Sequence, residues 1–159
     1  MNNLPIPKHL QEYFTLIGDN NSEFEVTGTI ICSCGADEFE VWESNKRHII
    51  KLVCRHCGKE LLIFDESKHG WNGFVCHDDF LDHTLPLCKY ICPNCRDDSF
   101  HVTVQITSQG IQDFLEECIT FDDSFSLDDW VDGFESISVS LSCKTCRTTD
   151  DNWGIFETM

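Results

Sequence analysis

Cysteine is the residue whose type and spacing carry most of the chemistry in this chain. In order, the pairs are Cys32-x-Cys34, Cys54-x-x-Cys57, Cys92-x-x-Cys95 and Cys143-x-x-Cys146. Two cysteines one or two residues apart can wrap a single turn of backbone around a cation and aim both sulfurs at it. Two such turns supply the tetrahedral four-sulfur shell that zinc accepts. The eight divide into Cys32, Cys34, Cys54 and Cys57, then Cys92, Cys95, Cys143 and Cys146, so two structural zinc ions are the expected cofactors. Gly58 follows Cys57 at the point where such a turn needs a left-handed exit. Two other uses of these thiols stay open: unligated core residues, or an iron centre, which shares the four-sulfur geometry and is coloured where zinc is not. Met1 to Leu10 shows no basic head followed by an apolar run. A reducing, cytoplasmic location is therefore expected, and ligation rather than disulfides.

The elements that must hold these turns repeat as well. Phe39 and Val41 follow Cys34 at offsets of five and seven, and Phe100 and Val102 follow Cys95 at the same offsets. Ile50 and Leu52 precede Cys54 by four and two, as Val139 and Leu141 precede Cys143. Acidic pairs, Asp37-Glu38 and Asp97-Asp98, follow the first turn of each half, and Ile63-Phe64-Asp65 has a counterpart in Ile155-Phe156-Glu157. The apolar period of two around each turn predicts short antiparallel strands. One unit is turn, strand, loop, strand, turn, strand, and it occurs twice.

This arrangement resembles the zinc-ribbon (rubredoxin-like) family, and in particular a group of bacterial double-zinc-ribbon proteins. The resemblance covers about Gly28 to Phe64 and Lys89 to Phe156; the close first pair, Cys32-x-Cys34, and the 47 residues between Cys95 and Cys143 depart from the family pattern. It implies a mostly β chain with α+β elements: two tandem ribbons, each a three-stranded antiparallel sheet clamping one zinc. The expected organisation is an N-terminal helix and lead-in strand over 1–27, a first ribbon over 28–66, a linker rich in Gly and aromatics over 67–88, and a second ribbon over 89–159 with an acidic insertion at 103–136. Leu10, Phe14 and Ile17 at helical spacing predict one short amphipathic helix ending near Gly18, packed on the first sheet.

Charge narrows the function. There are 11 Lys and Arg against 28 Asp and Glu, a formal net charge of -17, and the stretch from Cys88 to Met159 holds four basic and fourteen acidic side chains. Phosphate binding draws on Lys and Arg, so nucleic acid is an unlikely partner overall. Lys46, Arg47 and His48, with Lys51, Arg55 and His56, make the one candidate patch for it. The linker carries His69, His77, Asp78, Asp79 and His83, the side chains a metal-dependent hydrolase would draw on. Cys76 and Cys88 with His77 and His83 could make a third metal site, and the plainer reading has Trp71 and Phe74 docking between the ribbons.

From Gly110 to Glu135 nine acidic residues and no Lys, Arg or His are threaded with Phe114, Leu115, Phe121, Phe125, Leu127, Trp130 and Phe134. The spacing predicts a helix over 112–118 and a second helical turn opened by Ser126 with Asp129 three along. The aromatics are either the core of an elaborated ribbon or anchors on a surface formed by Phe114, Glu116, Glu117, Asp122, Asp123, Asp128, Asp129 and Trp130. The expected function is a non-enzymatic interaction module whose acidic surface binds a basic protein, in its sharpest form a toxin- or nuclease-neutralising one.

Overall fold

A computed structural model describes residues 3–44, 48–71, 73, 86–120 and 124–158. In chain order the strands are β1 (Phe14–Leu16), β2 (Glu25–Ile30), β3 (Phe39–Ser44), β4 (Ile49–Cys54), β5 (Glu60–Asp65), β6 (Cys88–Lys89), β7 (Phe100–Thr107), β8 (Ser136–Cys143) and β9 (Thr149–Glu157). Helices α1 (Ile111–Ile119) and α2 (Leu127–Asp132) lie between β7 and β8. Burial alternates strictly along β2, β7 and β8, so each of these strands presents one apolar face. All described pairings are antiparallel and belong to one curled sheet.

Two sets of three consecutive strands pair within the sheet. β3, β4 and β5 pair in sequence, and so do β7, β8 and β9. The registers correspond: Phe39 lies opposite Cys54 and Val41 opposite Leu52, while Phe100 lies opposite Cys143 and Val102 opposite Leu141. Register shifts fall at matching places, between Ile50 and Lys51 and between Val139 and Leu141. The units meet where β3 and β7 pair antiparallel through Phe39 and Phe100, the two equivalent residues, which gives a local two-fold relation. Ion pairs cross this junction reciprocally. Arg55, after Cys54, reaches Asp98 at 3.3 Å, and Lys144, after Cys143, reaches Glu38 at 2.7 Å.

Two expectations are revised. The N-terminal segment is not an amphipathic helix. A single 3-10 turn at Lys8–Leu10 leads into β1, which pairs with β2, and β2 in turn pairs with β7 of the second unit. Pro5 and Pro7 restrict the backbone before the turn, and the run Tyr13-Phe14-Thr15 favours strand, so cross-strand pairing prevails over the 3- and 4-residue apolar spacing. Phe14 lies across Gly28, where a Cβ would collide with its ring. The insertion is also shorter than expected, because β7 keeps its alternation through Val104 and Ile106 to Thr107 and β8 begins at Ser136.

The main core draws on both units: Val41, Ile50, Leu52, Ile63 and Phe64 from one, and Val102, Val104, Ile106, Ile137, Val139 and Leu141 from the other. Phe64 of β5 stacks on Phe156 of β9 with ring centroids 5.1 Å apart, so rings join the two halves of the sheet, and Tyr90 meets Trp153 of β9 at 5.1 Å. A second, smaller core beneath α1 and α2 gathers Trp71, Phe114, Cys118 and Trp130. No helix among the described residues is long and apolar enough to cross a membrane.

Candidate metal centres

Each tetrad is assembled by one turn before the first strand of a unit and one between its second and third strands. The second cysteine of each turn hands on to a residue in the left-handed region: Gly35 at φ 91°, Gly58 at φ 76°, Arg96 at φ 68° and Arg147 at φ 61°. The turns are closed by backbone bonds at matching places. Gly58 donates to the Cys54 carbonyl, and Arg96 and Arg147 donate to those of Cys92 and Cys143, each at 2.9 Å. Glycine meets the left-handed requirement freely, as Gly58 predicts, whereas an L side chain there costs roughly 1–2 kcal/mol. The two arginines of the second unit therefore break the rule that made the first legible.

The structure brings together all eight cysteines singled out from the sequence, in the two predicted sets, each with its four sulfurs within 4.8 Å of one another. Cys32 and Cys57 Sγ are 3.6 Å apart, Cys34 and Cys54 3.7 Å, Cys92 and Cys146 3.6 Å, and Cys95 and Cys143 3.5 Å. A disulfide requires about 2.05 Å, so none is formed. A tetrahedron around a cation with metal–sulfur bonds of about 2.3 Å has edges of about 3.8 Å, and the observed separations fit it. Four protein sulfurs close such a shell and leave no open coordination position, so the arrangement suits a structural ion.

The protons show why a cation belongs there. Burial pushes the Cys32 thiol up, but the Cys34 amide and the neighbouring sulfurs outweigh it and bring it down to about 7. Cys146 falls to about 5, chiefly through the Thr148 hydroxyl, with Asn94 and the Thr148 amide adding to it. Their partners move the other way. Amides of Ala36 and Asp97 favour the Cys34 and Cys95 thiolates, yet burial and the surrounding sulfurs push both up to about 12. Four sulfurs this close do not all ionise without a positive ion among them. The inner cysteine of each turn is buried, Cys32, Cys54, Cys92 and Cys143, while Cys34 and Cys57 are exposed and Cys95 and Cys146 half-buried.

The proposed partner surface needs correction. Phe114 and Trp130 are fully buried. Phe114 sits edge-on to Trp71 at 5.2 Å and to Phe125 at 6.2 Å, and the Trp130 indole donates to the Gln109 carbonyl at 2.9 Å. They are core because a short helical insertion has no other way to bury a face, and outside stand carboxylates together with the exposed apolar side chains Ile119 and Leu127. Glu116, Glu117 and Asp128 are exposed and Asp129 half-buried, where it caps α2, accepting from the Ser126 amide at 2.9 Å and hydroxyl at 3.2 Å. Asp122 and Asp123 lie outside the described residues. Beside α1 a shallow depression of about 480 Å³ is lined by Gln109, Asp113, Glu116, Glu117, Thr120 and Glu135. Burial, then the Glu117 charge, raises the Glu135 carboxyl above its ordinary range.

The other candidates come apart. His69 lies flat on His9, ring centroids 3.7 Å apart and planes 1° apart, with its Nδ1 accepting the Asp65 amide at 3.0 Å, so it is occupied in packing. His77, Asp78, Asp79, His83, Cys76 and Phe74 lie outside the described residues, as do Lys46 and Arg47. Cys88 is exposed on β6, and Lys51 and Arg55 are taken up by Glu60 and by Glu40 with Asp98. The His9–His69 stack and the reciprocal ion pairs escaped sequence reading, since they join residues more than forty positions apart with no local pattern. In comparisons with protein-family models, with curated proteins and with solved structures, nothing matches this chain.

Proposed function

We propose that this chain is a non-enzymatic, intracellular double zinc ribbon whose acidic second half binds a basic protein, with neutralisation of a nuclease or toxin as the sharpest form. Zinc is the scaffold in this reading, one ion in Cys32, Cys34, Cys54 and Cys57 and one in Cys92, Cys95, Cys143 and Cys146. The tandem turns, the repeated three-strand registers and the closed sulfur shells support it. The observation that carries the partner side is the depression beside α1, where Asp113, Glu116, Glu117 and Glu135 converge on a helix that turns Phe114 and Cys118 inward. A Lys or Arg of a partner entering it would relieve the crowding of Glu117 and Glu135, and the field of the whole molecule would speed encounter.

The test separates a site from bulk charge. A Glu116→Gln/Glu117→Gln/Asp113→Asn variant and a control with Glu12, Asp19, Asp150 and Asp151 neutralised are offered the same basic nuclease, at low salt and at about 0.5 M salt. Capture at low salt, lost in the α1 variant and kept in the control, is expected, with release at high salt as screening shortens the field. Equal capture by both variants, or none by the parent chain, would contradict the proposal.

A further inference from the structure

Net charge sets where an exposed arginine should settle in this molecule. With 28 acidic against 11 basic side chains, carboxylates are available in most directions, and Arg55 engages both Glu40 and Asp98. Arg96 and Arg147 do not follow suit. Both are exposed, and neither makes an ion pair with a described residue. Both directly follow the second cysteine of a turn, and both hold a left-handed backbone where the first unit has Gly35 and Gly58. Twice at one centre, the backbone asks for glycine and the sequence supplies a guanidinium. Strain retained at matching positions points to a use for the side chain.

Charge balance supplies that use. Four thiolates around a dication leave a net charge of about -2, and outer groups that offset it govern how firmly the ion is held. The first centre has a lysine for this: Lys59 Nζ lies 3.2 Å from the hydroxyl of Ser33, between Cys32 and Cys34. The residue at the same offset in the second unit is Thr148, which bonds Cys146 at 3.1 Å but carries no charge. The second centre also lies in the half of the chain with fourteen acidic side chains. We infer that Arg96 and Arg147 are the charge-compensating groups of the second metal centre, offsetting its net negative charge so that the cation is held more firmly; this rests on the double-zinc reading above.

The test uses the zinc-loaded full chain and an Arg96→Gly/Arg147→Gly variant, challenged with chelator at low salt in the presence of an alkylating agent. Mass spectrometry of peptides reports when each cysteine becomes reactive, with the first centre as internal control. Glycine removes the charges and the left-handed strain together, and the two effects have opposite signs. Strain relief alone slows release, whereas lost compensation speeds it. Release about fivefold faster at Cys92, Cys95, Cys143 and Cys146 only is expected, shrinking at about 0.5 M salt. An Arg96→Lys/Arg147→Lys variant should behave as the parent does. Unchanged or slower release in the glycine variant overturns the inference. Native mass spectrometry of the parent before the challenge counts its ions, and a chain that carries none overturns the zinc reading itself, and this inference with it.

Discussion

At the scale of single residues, the chemistry of this molecule divides between sulfurs that want a cation and imidazoles that must stay neutral. His69 presents its Nδ1 lone pair to the Asp65 amide and its face to His9, so a proton on that nitrogen would remove an acceptor and set charge beside a second ring. Burial, then the neighbouring His9, hold His69 down at about 3, with Asp65 acting against them and Lys68 with them; burial lowers His9 as well, opposed by the Ile63 carbonyl and Asp132. Both imidazoles are protonated more readily in the unfolded chain. Their contribution to stability is therefore fully present above about 6.5 and is lost as pH falls from there toward 3. His69→Asn, which keeps an acceptor and cannot titrate, should lose about 1 kcal/mol less than the parent between pH 7.5 and 5.5. Urea midpoints of both proteins at the two pH values check it, and parallel losses would contradict it. The cysteines were legible because ligation is written in local spacing. The stack was not, because only the fold brings residue 9 to residue 69.

At the scale of elements, β7 and β8 announce themselves by period-two burial, and α1 and α2 by helical spacing and a capping pair. The N-terminal segment misled because three apolar residues at helical spacing fit a strand partner better than a helix. Phe14 packs over Gly28 once β1 lies beside β2, a contact that no local pattern encodes. The insertion shows the same limit. Its sequence is as consistent with exposed anchors as with a core, and only packing decides that Phe114 and Trp130 turn inward. Helix α2 is six residues long, too short to persist without its cap and its buried tryptophan. Asp129→Ala should therefore destabilise the protein by about 1 kcal/mol and loosen the packing around Trp130, read as a shift of the thermal midpoint together with red-shifted tryptophan emission. An unchanged midpoint would show that the cap adds nothing.

At the scale of the whole molecule, two units related by a local two-fold share one sheet and one apolar core, and the junction is locked by Phe39 against Phe100 and by the crossed pairs Arg55–Asp98 and Lys144–Glu38. Each unit contributes one face to that core, and a chain with a formal charge of -17 works against its own compaction. Structural zinc in such turns supplies roughly 10–16 kcal/mol of apparent binding free energy per site, as much as the ~5–15 kcal/mol net stability of a typical domain. Folding and metal loading should therefore be one event. Native mass spectrometry of the purified chain, before and after a strong chelator, tests this most directly. Two zinc ions per compact chain, with their removal converting the narrow, low charge states to the broad, high ones of an unfolded chain, are predicted; a chain that carries no metal and stays compact would contradict the account at its base.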